Sequence, residues 1–246
     1  MTMSIDARTK PSPGGLGQAL IRLMMRPARI ASSQPIGDRF RLVTLEGAAL
    51  KGVSWTPGQK IQIAMGSAFV TRTYTPMDWD AGQGRARILG YAHGEGPGGD
   101  WLRSLAPGAQ CDLFGPRASL NAAPLAGPLV VFGDETSIGL ACALAAQDPA
   151  RSISCVFEVA DLGEAEAVVE RLGLSKAALF RKAADEAHLD TIGAALSSLA
   201  GVGASFVLTG RAAAIQKLRH GLKRRAVEPR RILTKAYWAQ GKTGLD

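Results

Sequence analysis

The chain has 246 residues, 46% of them apolar and 20% charged, which supplies enough hydrophobic material for two modest domains and excludes a disordered chain. Its formal net charge of +8 is uneven: residues 1–127 carry 14 Lys/Arg against 8 Asp/Glu, a net +6, and residues 128–246 carry 15 against 13, a net +2. Zinc-finger spacing, RNP-like aromatics and a helix-turn-helix pattern are missing, which excludes nucleic acid and leaves a small anion or an acidic electron-transfer protein as partner for that field.

Residues 1–27 read as a leader and one amphipathic helix. Lys10-Pro11-Ser12-Pro13-Gly14-Gly15 is a flexible stretch. Leu16, Ala19, Leu20 and Leu23 then recur at helical spacing over Leu16–Met25, with Arg22 and Arg26 on or near the other face and Pro27 as the stop. That helix is expected to pack on its own domain, with a membrane surface or a partner as the alternative. From residue 28 to 123, short apolar or alternating runs recur at Phe40–Leu45, Lys60–Met65, Ala86–Ala92 and Cys111–Phe114, separated by turns at Trp55–Gly58 and Asp80–Gly84. This rhythm predicts an antiparallel β-barrel, interrupted by one short helix over Gly98–Leu105. After a linker at Pro124–Pro128 the rhythm changes. Strands at Leu129–Phe132, Ser154–Val159, Ala177–Phe180 and Ser205–Leu208 alternate with helices at Ile138–Ala146, Glu164–Leu172, Leu189–Ala200 and Ala212–Arg225, which predicts a doubly wound parallel α/β sheet over residues 128–246.

No run approaches the roughly 20 apolar residues of a membrane span, and no secretion-signal pattern is visible, so a cytoplasmic protein is expected. Cys111, Cys142 and Cys155 are too few and too scattered for a disulfide framework or a metal site, and are expected to be buried thiols.

Four motifs bear on chemistry. In Arg72-Thr73-Tyr74-Thr75 an Arg beside alternating Tyr and Thr can pair with a phosphate while ring and hydroxyl face a bound cofactor; a plain surface strand is the alternative. His93-Gly94-Glu95-Gly96-Pro97-Gly98-Gly99, with Trp101 beyond it, lets backbone N–H groups approach a pyrophosphate at a helix N-terminus. Gly133-Asp134-Glu135-Thr136 stands where strand hands over to helix, the place where doubly wound folds bind ligands. Its two carboxylates favour the helix dipole yet repel phosphate, so capping stands beside nucleotide binding as a role for Asp134 and Glu135. Arg219, Lys223, Arg224, Arg225, Arg230, Arg231 and Lys235 form a basic tail, read either as a solvated helix face or as a rim for an anionic ligand. No catalytic triad is visible: His93 has no evident Ser or Cys nucleophile, and Ser137 and Ser175 lack the Gly-x-Ser-x-Gly setting.

Taken in order, Phe40–Leu45, Pro57-Gly58-Gln59, Arg72–Thr75, His93-Gly94 to Trp101, Pro107-Gly108, Gly115-Pro116, Gly133–Thr136 and the closing Ala236-Tyr237-Trp238 with Gly241 resemble the siderophore-interacting proteins, a branch of the ferredoxin reductase-like flavoproteins. The resemblance implies bound FAD, with Arg72 on a flavin phosphate, Tyr74 against the ring or ribityl chain, and Thr75 at a flavin edge. Thr73, His93, Gly94, Gly96, Gly98, Gly99 and Trp101 complete that pocket, and Thr136 stands at the junction with nicotinamide. It also implies NADH or NADPH as donor, held by Gly133, Asp134, Glu135, Thr136, Gly210 and Arg211. Thr209-Gly210-Arg211 departs from the family's usual Ala-Gly-Glu, and Arg211 suggests a 2′-phosphate contact. The implied substrate is a ferric siderophore or other ferric chelate, with Lys223, Arg230, Arg231 and Lys235 as its rim. Hydride transfer to flavin followed by single-electron transfer to Fe(III) leaves no catalytic side chain to find. A generic ferredoxin-type or free-flavin reductase is the nearest alternative, and a siderophore-binding or flavin-sensing module without turnover is the one from another class.

Overall fold

In the computed structural model, the described residues are 24–65, 67–94 and 96–241. The amphipathic helix expected over residues 16–25 falls almost wholly outside them. Where they begin, Met24 and Met25 are in a turn and a bend, and Arg26 already opens a strand, so Pro27 lies inside a strand instead of closing a helix.

Seven strands form the first sheet: β1 (Arg26–Pro35), β2 (Phe40–Glu46), β3 (Lys60–Met65), β4 (Ser67–Tyr74), β5 (Pro76–Asp80), β6 (Arg85–Tyr91) and β7 (Gln110–Arg117). Every pairing is antiparallel, in the order β4-β3-β7-β1-β2-β6-β5. The sheet is barrel-like but open, because β4 and β5 end it on either side without pairing to each other among the described residues. The antiparallel barrel expected from the turn rhythm is present as this barrel-like, open sheet, in which register shifts in β1, β3 and β4 bend the strands. Alternation chooses the inner face: in β6, Ala86 and Ile88 are buried while Arg85 and Arg87 are exposed. Ile30, Val43, Leu45, Ile61, Ile63 and Leu113 fill the interior, and Leu102 of helix α1 (Pro97–Ser104) plugs its mouth.

The second sheet is wholly parallel, in the order β10 (Ala178–Arg181), β9 (Ile153–Val159), β8 (Leu129–Gly133), β11 (Ser205–Arg211) and β12 (Ile232–Trp238). Helices α2 (Ile138–Gln147), α3 (Leu162–Arg171), α4 (His188–Gly201) and α5 (Ala212–Arg224) make the crossovers. Strand β8 is buried along its whole length, as a central strand covered on both faces should be. Its side chains divide between two cores by the period of two: Val130 and Phe132 join Leu189, Ile192 and Leu218 of α4 and α5, whereas Leu129 and Val131 join Ile138, Leu140 and Val168 of α2 and α3. The second of these cores also contains Phe40, Met77 and Leu89 of the first sheet, so the two lobes share apolar packing.

Strand β12 is absent from the sequence reading, which assigned its first half to a basic tail. It is an edge strand with all seven residues half-buried, so it carries no alternation from which a strand could be read.

Candidate functional site

Counted in chain order, the parallel sheet runs 3-2-1-4-5, and its switch point falls between β8 and β11. Ligands in such sheets bind beyond the carboxyl ends of the strands at this point. Gly133–Thr136 follow β8 there, Gly210 and Arg211 end β11, and Trp238 ends β12 opposite Arg211. The open sheet brings Thr75 and His93 to the same seam.

On the barrel side, Arg72 and Tyr74 lie opposite Ile63 and Ile61 in the β3–β4 ladder and so share the inner face, whereas Thr73 lies opposite Gln62 on the other face. The tyrosine ring is 5.8 Å from the Trp101 ring, and burial raises the pKa of its phenol. Arg72 is exposed, and its Nη1 donates to the carbonyl of the neighbouring Thr71 at 2.9 Å. Its stem runs past Gly98 so closely that a β-carbon there would sit 3.1 Å from Arg72 Cγ. The arginine stem thus lies against the start of α1, where Gly98 and Gly99 present first-turn N–H groups that a helix leaves without internal partners. Gly94 and Gly96 have φ of 63° and 140°, a backbone path that side-chain-bearing residues rarely take. Added β-carbons at these two positions would meet nothing within 4 Å, so the approach is open. Glu95 lies outside the described residues. An exposed guanidinium, an open glycine loop and a helix start match what an FAD diphosphate requires of its holder.

At the seam, Thr75 Oγ1 donates to the Tyr237 hydroxyl at 3.4 Å, and burial pushes the tyrosine pKa up to about 12. His93 is exposed, with its ring nearly parallel to that of Trp238: centroids are 6.4 Å apart and planes 24° apart. On the sheet side of Trp238, Lys182 Nζ lies 6.0 Å from the ring centroid, within cation–π range. The indole Nε1 donates to Asp134 Oδ2 at 2.6 Å. Asp134 Oδ1 accepts from the backbone N of Thr136 at 2.9 Å and from its hydroxyl. Burial raises the Asp134 pKa, opposed by the nearby Lys182 charge and by the hydrogen bonds from Thr136 and Trp238.

Glu135 is buried as well. Its Oε1 accepts from Ala160 N at 2.6 Å and Tyr91 Oη at 3.4 Å, and its Oε2 pairs with Lys182 Nζ at 2.6 Å. Both carboxylates of the Gly-Asp-Glu-Thr turn are therefore committed to protein donors, and Asp134 caps the turn through Thr136. Of the capping and nucleotide-binding readings, these bonds directly support the first. Half-buried Thr136 is the residue of the turn that remains at the surface of the crevice.

Arg211 is held by protein carboxylates. Its Nε and Nη2 clasp Glu158 at 3.1 and 3.2 Å, and its Nη1 pairs with Glu186. Glu158 has no exposed surface and also meets His188 Nε2 at 2.8 Å. His188 Nδ1 accepts from Ala183 N, so the proton on the ring sits at Nε2 and points at the carboxylate. Although burial works against the charge of Arg211, the bonds to Glu158 and Glu186 hold its pKa above the ordinary value. Binding a 2′-phosphate would take this guanidinium from a buried carboxylate, a loss of several kcal/mol.

The proposed substrate rim is not brought to the seam. Lys223 lies in the last turn of α5, and Arg230 and Arg231 precede β12, at the opposite end of the sheet from Trp238. Arg231 instead donates to the carbonyls of Ala204 and Ala200, and Arg230 pairs with Glu228. Lys235 sits mid-strand opposite Thr209. One cation of the seam, Lys182, went unnoticed in the sequence, where its local signal is its place at the end of a short strand.

Residues 58–120 match the family model of the siderophore-interacting FAD-binding domain. The matched segment lies within the barrel lobe. The match spans β3 to β7 with α1, and so takes in the Arg72 and glycine-loop cradle. Among solved structures, the chain is similar to a siderophore utilization protein from T. fusca, with 24% identity, 90% of this chain and 95% of that one covered, and a TM-score of 0.70. It is likewise similar to the siderophore-interacting protein SipS from Aeromonas hydrophila, with 20% identity, coverages of 89% and 93%, and a TM-score of 0.73. The ferredoxin reductase of carbazole 1,9a-dioxygenase aligns at 15% identity over 87% of this chain and 69% of that one, with a TM-score of 0.71. At these identities the likeness establishes the two-domain ferredoxin reductase-like fold. No curated protein matches the chain.

Proposed function

We propose that the protein is an FAD-dependent reductase of ferric siderophores that takes its electrons from NADH or NADPH in the cytoplasm. The observation that carries this reading is the Arg72 side chain laid across Gly98 at the start of α1, with Thr75 of the same segment bonded to Tyr237 at the seam. In it, Arg72 and the amides of Gly98 and Gly99 hold the flavin diphosphate, Tyr74 packs along the cofactor, and Thr75 and Thr136 face the junction from either lobe. Bound FAD supplies the conversion of a two-electron hydride donor into single electrons for iron. The balance is one NAD(P)H oxidised and two Fe(III) reduced, with one proton released. Hard oxygen donors hold Fe(III) far better than Fe(II), so reduction loosens the chelate without cleaving a covalent bond. The seam residues orient donor and cofactor and exclude water, and no side chain has to act as nucleophile.

Purified protein is expected to be yellow, to bleach anaerobically within seconds of adding NADH or NADPH, and to recover its colour when a ferric siderophore is added with an Fe(II) trap. Protein that neither retains nor binds FAD sinks the reading. Bleaching followed by recolouring with quinones or acidic redox proteins, and not with ferric chelates, would assign the generic reductase instead. Persistent oxidised flavin with both nucleotides would assign a binding module or an external donor. Arg72→Ala should weaken FAD binding by about 10- to 150-fold, the equivalent of a charge-assisted hydrogen bond of about 1.5–3 kcal/mol, as measured by titrating the apoprotein.

A further inference from the structure

We propose that Asp134 is a positioning residue of the seam, which fixes the indole of Trp238 opposite His93 and makes no contact of its own with the nucleotide. The proposal rests on the reductase reading only for its kinetic consequence; the Asp134–Trp238 unit itself is a property of this chain.

Three observations converge. Asp134 is 1% exposed, and its two oxygens are occupied by three donors, Thr136 N, Thr136 Oγ1 and Trp238 Nε1. A carboxylate so enclosed, with three of its roughly four acceptor sites filled by protein donors, presents no surface to a ligand, and its negative charge would oppose a pyrophosphate. Gly210 is shaped around it: at φ 91° its missing β-carbon would lie 2.8 Å from Asp134 Cγ and Oδ2, so the end of β11 leaves room for this carboxylate and little else. The indole it holds is also the one aromatic side chain of the sheet lobe that is paired with a barrel ring across the seam among the described residues, His93 at 6.4 Å. Trp238 closes an edge strand that is half-buried throughout, so the hydrogen bond to β8's turn fixes an otherwise weakly held end. Through one carboxylate, the turn after β8, the end of β11 and the end of β12 set a single ring plane.

Asn at position 134 can accept from one of the two N–H groups but turns its own NH2 toward the other, so Asp134→Asn must release either the cap or the indole. The test is a double-mutant cycle on the FAD-loaded protein with Asp134→Asn, Trp238→Phe and the pair, the phenylalanine keeping a ring while deleting the donor. Stopped-flow reduction by NADH and by NADPH is read as a limiting rate and an apparent Kd. Each single variant is expected to lower the limiting rate about tenfold with Kd within about twofold, and the pair to be no slower than either. Near-UV circular dichroism is expected to show the Trp238 band, defined by Trp238→Phe, lost in Asp134→Asn, while FAD content stays at one per chain.

Additive losses, about a hundredfold in the pair, or a loss confined to Kd, would mean that Asp134 touches the nucleotide and would overturn the proposal. A Trp238 band unchanged by Asp134→Asn would overturn it as well. If the wild type bleaches with neither nucleotide, the reductase reading fails, and the dichroism and the cycle, run on dithionite-reduced protein reoxidised by a ferric chelate, still decide for or against the Asp134–Trp238 unit.

Discussion

Arg211 carries the heaviest structural duty of any single side chain at the seam. Glu158 is fully buried, and Arg211 and His188 are its two partners, of which the arginine alone brings a permanent charge. The same guanidinium holds Glu186, a non-glycine residue at φ 60°, a backbone conformation that costs about 1–2 kcal/mol unless its surroundings impose it. Arg211→Ala is therefore expected to cost about 3–5 kcal/mol of stability, measured by chemical denaturation, because it strands a buried carboxylate. Arg211→Ala combined with Glu158→Gln should recover a large part of that loss, since the amide needs no counter-charge; an additive double variant would contradict this account. The sequence could not have shown it. Arg211 stands where a ligand-facing residue belongs, and its partners are 53 and 25 positions away, so a motif reading takes the free guanidinium at face value. Cys142 is a smaller case of the same kind: it is half-buried and not enclosed, yet burial still raises its pKa to about 12, and Cys111 and Cys155 to about 11.

At the scale of elements, what could be read depended on the contrast between neighbours. Strand β3 was legible to the residue, since Lys60–Met65 alternates between turn signals, and α2 was legible from its alanine-rich run. Helix α1 was legible from its glycine-rich start. Strand β12 was not, because half-burial at every position erases the period of two and the flanking arginines suggest a solvated tail. Those arginines are part of what anchors it. Arg231 donates to the carbonyls of Ala204 and Ala200, closing the base of β12 onto the start of β11 and the end of α4. Arg231→Ala should cost about 1–3 kcal/mol through the carbonyls left unpaired, seen as faster hydrogen exchange in β12, while FAD affinity stays that of the wild type. A loss of FAD affinity equal to that of Arg72→Ala would show that the base of β12 reaches the cofactor site and would contradict the placement of the two.

At the scale of the whole molecule, the question is whether the lobes are separate bodies joined by a linker or one folding unit. A chain of this composition is expected to form two domains, and a boundary near the prolines at 124 and 128 invites the first answer. The shared core argues for the second: Phe40, Met77 and Leu89 of the barrel pack in one cluster with Val131, Ile138 and Phe157 of the sheet. Separating the lobes would expose apolar surface on both sides of this cluster, at about 25 cal/mol per Å². Polar ties reinforce the packing. Arg39 reaches Glu164 with its backbone N at 2.6 Å, its Nε at 2.9 Å and its Nη2 at 2.8 Å, and Tyr91 donates to Glu135 across the same boundary. The hydride transfer proposed above, between a nucleotide on one lobe and a flavin on the other, would need such a fixed distance. The apoprotein is accordingly expected to unfold in urea as one transition, with far-UV dichroism of the parallel sheet and the fluorescence of barrel residues Trp55, Trp79 and Trp101, observed in Trp238→Phe, giving the same midpoint and slope. Glu164→Ala should lower that common midpoint and keep the two signals coincident, because the apolar cluster still joins the lobes. If the two signals separate in the parent protein, the seam is a docking contact between independent domains, and the geometry that places Thr75 against Tyr237 and His93 against Trp238 would have to be imposed by the bound cofactor instead of the fold.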